Sequence, residues 1–179
     1  GKLDEAIAHY RKAAESQVNF AEPHYNLGKA LLDKGQTDEA IAEYQRAIEA
    51  APLHPEAHYN LGCALLQRQR VAEAIAHFET VLKSNPSNSA AHNNLGNALS
   101  QQGRVDEAIA HYRQALESDP ANTPARMNLA NMLLARARPS EAVAEYQRVL
   151  AVQPADAAAH KNLGTALLQA GNADEAIKE

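Results

Sequence analysis

The chain has 179 residues, is 45% hydrophobic but only 4% aromatic, and carries a net charge of −5. With no run of like charge it lacks the basic face that nucleic acids require, and no apolar stretch approaches the roughly 20 residues that span a bilayer. No secretion signal is visible, and Cys63, alone in the chain, excludes an internal disulfide and favours a reducing, cytoplasmic compartment.

In chain order, the first recognisable element is DEAIAHY at 4–10, which has the spacing of one helical face. It returns as DEAIAEY at 38–44, AEAIAHF at 72–78, DEAIAHY at 106–112 and SEAVAEY at 140–146, and begins again as DEAIKE at 174–179. The interval is 34 residues each time. A fixed period of this length marks an array of one small unit. Counting 34 slots from Ala21 gives a half repeat at 1–20, full repeats at 21–54, 55–88, 89–122 and 123–156, and a partial repeat at 157–179. The chain starts in slot 15 and stops in slot 23, which reads as a piece of a longer array.

Each repeat predicts two helices. Slots 4, 7, 8 and 11 form one face, as in His24, Leu27, Gly28 and Leu31. Slots 20, 21, 24, 27 and 28 form another, as in Ala40, Ile41, Tyr44, Ala47 and Ile48. Glycine in slot 15 (Gly1, Gly35, Gly103, Gly171) supplies the turn between them. Asp38 and Glu39, with their counterparts one period away, place negative charge at the start of the second helix, where the dipole favours it. Pro52, Pro86, Pro120 and Pro154 close the unit, and Pro23, Pro55 and Pro124 sit in the first turn of the next helix. Glycine in slot 8 and alanine in slot 20 let the two helices approach closely, and the slot 24 ring fills the space left between pairs. One hairpin cannot bury all of this, so stability comes from stacking. The fold class is all-α. The repeat at 123–156 replaces both glycines, by Ala130 and Ala137, and adds Pro139, so a less regular turn is expected there.

Leu-Gly in slots 7–8, alanine in slot 20, an aromatic in slot 24 and proline in slot 32 together resemble the tetratricopeptide repeat (TPR) over the whole chain. The resemblance implies a right-handed α-solenoid, a superhelix of helix–turn–helix units whose first helices line a concave groove. Slot 4 departs from the pattern. The family usually has a large apolar residue there, and this chain has His24, His58, His92, Arg126 and His160.

Asparagine fills slot 6 in every available repeat: Asn26, Asn60, Asn94, Asn128 and Asn162. Slots 2, 6, 9 and 13 point away from the hairpin core, and in this family that direction is into the groove. Slot 9 drifts through Lys29, Cys63, Asn97, Asn131 and Thr165 while slot 6 does not. Asparagine is worse than alanine in a helix by roughly 0.6 kcal/mol per site, so something offsets the penalty. A primary amide can pair with both C=O and N–H of an extended backbone, holding a peptide without reading its sequence. The row resembles the asparagine ladder in the repeat region of O-linked N-acetylglucosamine transferase, which implies that these five amides grip a peptide backbone. Two other readings stand beside it: each amide bonds the adjacent repeat and sets the pitch, or the row is inherited from one duplicated unit. Slot 5 borders the groove. Tyr25 and Tyr59 there could pack on a peptide side chain or belong to inter-repeat packing, and Asn93, Lys29, Asn97 and Asn131 complete the candidate peptide-binding set.

The remaining signals point away from chemistry. The eight histidines lie mostly in slots 4 and 23 and show no recognised metal-ligand spacing. No phosphate loop, Ser–His–Asp order or carboxylate pair stands out, so neither a cofactor nor catalysis is expected. The carboxylate clamp of the co-chaperone version of this fold needs Lys and Arg in slots 2, 5 and 6. Slot 6 is never Arg here, and Lys161 is the one lysine in slot 5. The expected function is a non-catalytic interaction scaffold that binds an extended protein or peptide segment, as the substrate-recruiting part of a larger protein such as a glycosyltransferase. The alternative is a structural module that stacks end to end with its own copies through its terminal helices.

Overall fold

The structure is a computed structural model that describes residues 1–16, 19–172 and 176. Asp174 and Glu175, which continue the acidic pattern of the second helices, lie outside the described residues. Among those residues are ten helices and no strand: α1 (Lys2–Ser16), α2 (Ala21–Asp33), α3 (Thr37–Ala50), α4 (Pro55–Gln67), α5 (Val71–Ser84), α6 (Ser89–Gln101), α7 (Val105–Ser118), α8 (Thr123–Ala135), α9 (Pro139–Val152) and α10 (Ala157–Gln169). The chain is an all-α helical repeat of the solenoid class. It forms two compact units, Gly1–Pro86 with α1–α5 and Ser87–Glu179 with α6–α10.

In the first unit α2 pairs with α3 and α4 with α5, α1 packs on α2, and the first helices α2 and α4 touch each other. In the second unit α6 pairs with α7 and α8 with α9, α10 packs on α9, and α8 touches both α6 and α10. The residue before each first helix ends the preceding turn. From α4 onward its side chain also accepts a backbone N–H: His54 from Ala57, Asn88 from Ala91, Asn122 from Ala125, and Asp156 from Ala158 and Ala159. The second helices α3, α5, α7 and α9 have no side-chain cap, and each has an acidic residue in its first turn.

The contact inside each hairpin is set by a small residue meeting a ring. Tyr44, Phe78 and Tyr112 are buried, and a Cβ built on Gly28, Gly62 or Gly96 would lie 2.8, 2.8 or 2.6 Å from the ring opposite it. Ala130 takes the glycine's place against Tyr146 and is itself fully buried.

The turn after α8 is regular, contrary to the expectation for that repeat. Arg138 N–H donates to the Leu133 carbonyl at 2.9 Å and Ala137 N–H to Leu134 at 3.0 Å, as Gln36 and Gly35 do to Leu31 and Leu32 at 2.9 Å each. Ala137 simply adopts the glycine conformation, at φ 53°, and Gln69 does the same after α4 at φ 60°. The helix-ending hydrogen bonds hold these residues in a left-handed state that side chains otherwise avoid, at a cost of about 1 kcal/mol each.

Slot 4 carries a buried polar clasp in place of an apolar plug. His24 faces Glu43 at 2.6 Å, His58 faces His77 at 2.9 Å, His92 faces His111 at 3.0 Å, and Arg126 donates to Glu145 at 2.9 Å. The same side chains reach the turn that precedes their helix. His58 Nε2 lies 3.0 Å from the Pro52 carbonyl, Arg126 donates to Pro120 at 2.7 Å, and His160 Nε2 lies 2.8 Å from Pro154. A carbonyl only accepts, so His58 carries its proton on Nε2 and, when neutral, accepts from His77 through Nδ1. The helices α4, α8 and α10 are thereby tied to the turns before them by hydrogen bonds.

Candidate functional site

The slot 6 amides are half-buried in both units, and each unit treats them differently. In Gly1–Pro86, α2 presents Tyr25, Asn26 and Lys29, and α4 presents Tyr59 and Asn60. Asn60 Nδ2 donates to the Tyr25 hydroxyl at 3.3 Å. The Tyr25 ring sits 5.0 Å from that of His54 and 6.1 Å from that of Tyr44, and Tyr59 meets Phe78 edge-on at 6.0 Å. These tyrosines therefore take part in ring packing, and both are half-buried. Asn26 and Lys29 are not hydrogen-bonded to the other candidates, and the Lys29 side chain is exposed. The Tyr44 hydroxyl is buried with no hydrogen-bond partner among the described residues, and burial pushes its pKa up.

In Ser87–Glu179 the candidate amides form two hydrogen-bonded groups, one around Asn128 and one around Asn131. Asn128 Nδ2 donates to Asn93 Oδ1 at 3.0 Å and to Asn97 Oδ1 at 2.9 Å. Asn162 Nδ2 donates to Asn131 Oδ1 at 3.1 Å, and Asn93 Nδ2 donates to Asn94 Oδ1 at 3.3 Å. Two tyrosines from the second helices join them. Tyr112 donates to Asn97 Oδ1 at 2.8 Å, and Tyr146 to Asn131 Oδ1 at 2.6 Å. Burial pushes the Tyr112 phenol up and the Tyr146 phenol to about 12, the Asn162 amide opposing the latter, so both remain neutral donors near neutral pH.

The slot 6 amide thus reaches back to the preceding first helix, and the slot 9 amide is fixed from both sides. Asn128 has both N–H groups engaged, which leaves its carbonyl oxygen for anything else. The sequence marks these asparagines but not the two hydroxyls, because slot 24 reads as a packing position. One signal was present. Slots 9 and 24 pair as Asn97 with Tyr112, Asn131 with Tyr146, and Cys63 with Phe78. His54 was likewise readable only as a turn residue, and it caps α4.

Among the described residues no group of three or more His, Cys, Asp or Glu could hold a metal ion, and no helix is long and apolar enough to cross a membrane. The arrangement offers neutral hydrogen-bonding groups on a rigid helical frame.

Sequence profiles of the tetratricopeptide repeat match residues 25–79 and 59–123, and further ones match 99–161 and 133–179. A TPR repeat profile matches residues 1–35. No curated protein matches the chain in sequence. Among solved structures, a MamA protein superposes with a TM-score of 0.83 at 22% identity, over 88% of this chain and 86% of its own. YrrB, described as a TPR protein with an unusual peptide-binding site, superposes at 0.82 with 24% identity over 94% and 87%. MamA from Desulfovibrio magneticus RS-1 gives 0.81 at 23% identity over 88% and 89%. With helix pairs recurring at a constant interval and profiles matching from one end to the other, the chain belongs to the tetratricopeptide repeat family.

Proposed function

We propose that the chain is a non-catalytic protein–protein interaction scaffold that holds an extended peptide against the amide-lined face of its first helices. The observation that carries this is the asparagine row itself. Within it, Asn128 and Asn162 are each held by an amide of the preceding first helix, yet each keeps its carbonyl oxygen. Fixed amides of that kind suit a ligand whose common feature is its backbone. The likeness to YrrB, whose structure is described by its peptide-binding site, supports the same class of ligand. The test is a peptide-array screen followed by fluorescence anisotropy on the peptides selected. Replacing Asn94 and Asn128 together by alanine weakens binding by about 1–3 kcal/mol while the helical circular dichroism is retained. Unchanged affinity removes the mechanism. In a larger protein such as a glycosyltransferase, this array would recruit the substrate, and a catalytic domain in the same gene product is the check.

A further inference from the structure

We infer that the hydroxyls of Tyr112 and Tyr146 set the polarity of the amide strip in the Ser87–Glu179 unit, making it selective for an extended backbone with free N–H groups. The inference rests on the peptide-holding reading. Asn97 Oδ1 receives two donors, Tyr112 OH and Asn128 Nδ2. Asn131 Oδ1 receives Tyr146 OH and Asn162 Nδ2. Neither Asn97 Nδ2 nor Asn131 Nδ2 bonds to any described residue. Asn128 is the reverse, with Nδ2 donating twice and Oδ1 left over. None of these unused atoms is among the fully buried ones, so each meets solvent. Along α8, Asn128 therefore offers an acceptor and Asn131, about one turn further, a donor. An extended peptide presents N–H and C=O of the same residue on one edge, which is the complementary pair.

The amides alone do not fix this order. Turning Asn93, Asn94, Asn97 and Asn128 over together would exchange every donor for an acceptor and keep each amide–amide bond among them. The tyrosines break that tie. A buried O–H needs an acceptor, and the Tyr112 hydroxyl has only Asn97 Oδ1. In the reversed order its hydrogen would have no partner, which is unfavourable inside a protein. The first unit lacks this lock. Slot 9 there is Lys29 opposite Tyr44, whose hydroxyl has no partner, and Cys63 opposite Phe78.

The experiment uses blocked pentaglycine and blocked pentasarcosine, which differ in that sarcosine has no backbone N–H. Binding of each to the full chain is followed through the asparagine side-chain amide resonances. The wild-type chain prefers pentaglycine by about tenfold, as one hydrogen bond to each exposed acceptor requires. In the Tyr112→Phe, Tyr146→Phe double variant the preference falls to about twofold or less, because both polarities are then satisfied. Tyr44→Phe keeps the full preference. Phe78 already occupies the slot in a buried hairpin, so the variants fold, and their thermal midpoints verify it. Undiminished preference in the double variant overturns the inference while leaving peptide binding intact. Failure of both probes to move any of these resonances in the wild type overturns the peptide reading and this inference together.

Discussion

At the scale of single residues, the repeats are their own controls, because one slot is filled differently in different copies. Slot 15 requires positive φ, at 81° in Gly35 and 74° in Gly103, and Gln69 and Ala137 meet the same requirement with a side chain. Replacing either by glycine removes steric strain that exceeds the added freedom of the unfolded chain. We expect Gln69→Gly and Ala137→Gly each to stabilise by about 0.5–1 kcal/mol in urea unfolding. The slot 24 tyrosines make a second comparison. Tyr146→Phe removes a hydrogen bond to Asn131 and costs about 1 kcal/mol, whereas Tyr44→Phe removes an unpartnered buried hydroxyl and is neutral or stabilising. The same denaturation series checks both. Sequence exposed slot 15 through its glycines but could not distinguish these tyrosines, because a hydroxyl's value depends on the atom opposite it.

At the scale of elements, close approach of paired helices decides stability. Ala108 is fully buried in α7, which packs on α6. Ala108→Leu inserts methylenes where none fit and costs about 1–3 kcal/mol, seen as a lower urea midpoint with the slope unchanged. Between successive hairpins the contacts are partly ionic. Lys34 pairs with Asp4 at 2.6 Å, Arg68 with Asp38 at 2.7 Å, and Arg136 with Asp106. The Lys34 hydrogen bond holds the Asp4 carboxyl below its ordinary value. These pairs are exposed, so they set register more than stability. Helix existence and pairing were legible from the 34-residue period. The slot 4 clasps were not, because histidine on an apolar face reads as a packed side chain until its partner in slot 23 is known.

At the scale of the whole molecule, the clasp between His58 and His77 makes stability depend on pH. Burial, and after it the charge of His58, lowers the His77 pKa below its ordinary 6.5. The unfolded chain therefore takes up that proton more readily than the folded one. The stabilisation is fully present above pH 6.5 and is lost as pH falls through the lower folded value. Glu73, Glu107 and Glu141, lowered from 4.5 by hydrogen bonds from Arg70, Arg104 and Arg138, act in the same direction at more acid pH. We expect the thermal midpoint to fall in two stages, one below about pH 6.5 and one below about pH 4.5. His77→Gln, which can still donate to His58 without titrating, flattens the first stage alone. A midpoint that stays level from neutral pH to about pH 5 contradicts the clasp account.

Sequence by itself determined the repeat length, the all-α class, the small-against-aromatic packing and the row of asparagines. These follow from periodicity, and a period is a property of the chain before it folds. Tertiary structure decided which atom of the Asn97, Asn128 and Asn131 amides is used and which is left over. It also decided that Tyr112 and Tyr146 belong to that network and that slot 4 is a polar clasp. Hydrogen bonding is directional and short-ranged, so it depends on angles and distances of a few ångströms between helices that the order of residues does not specify.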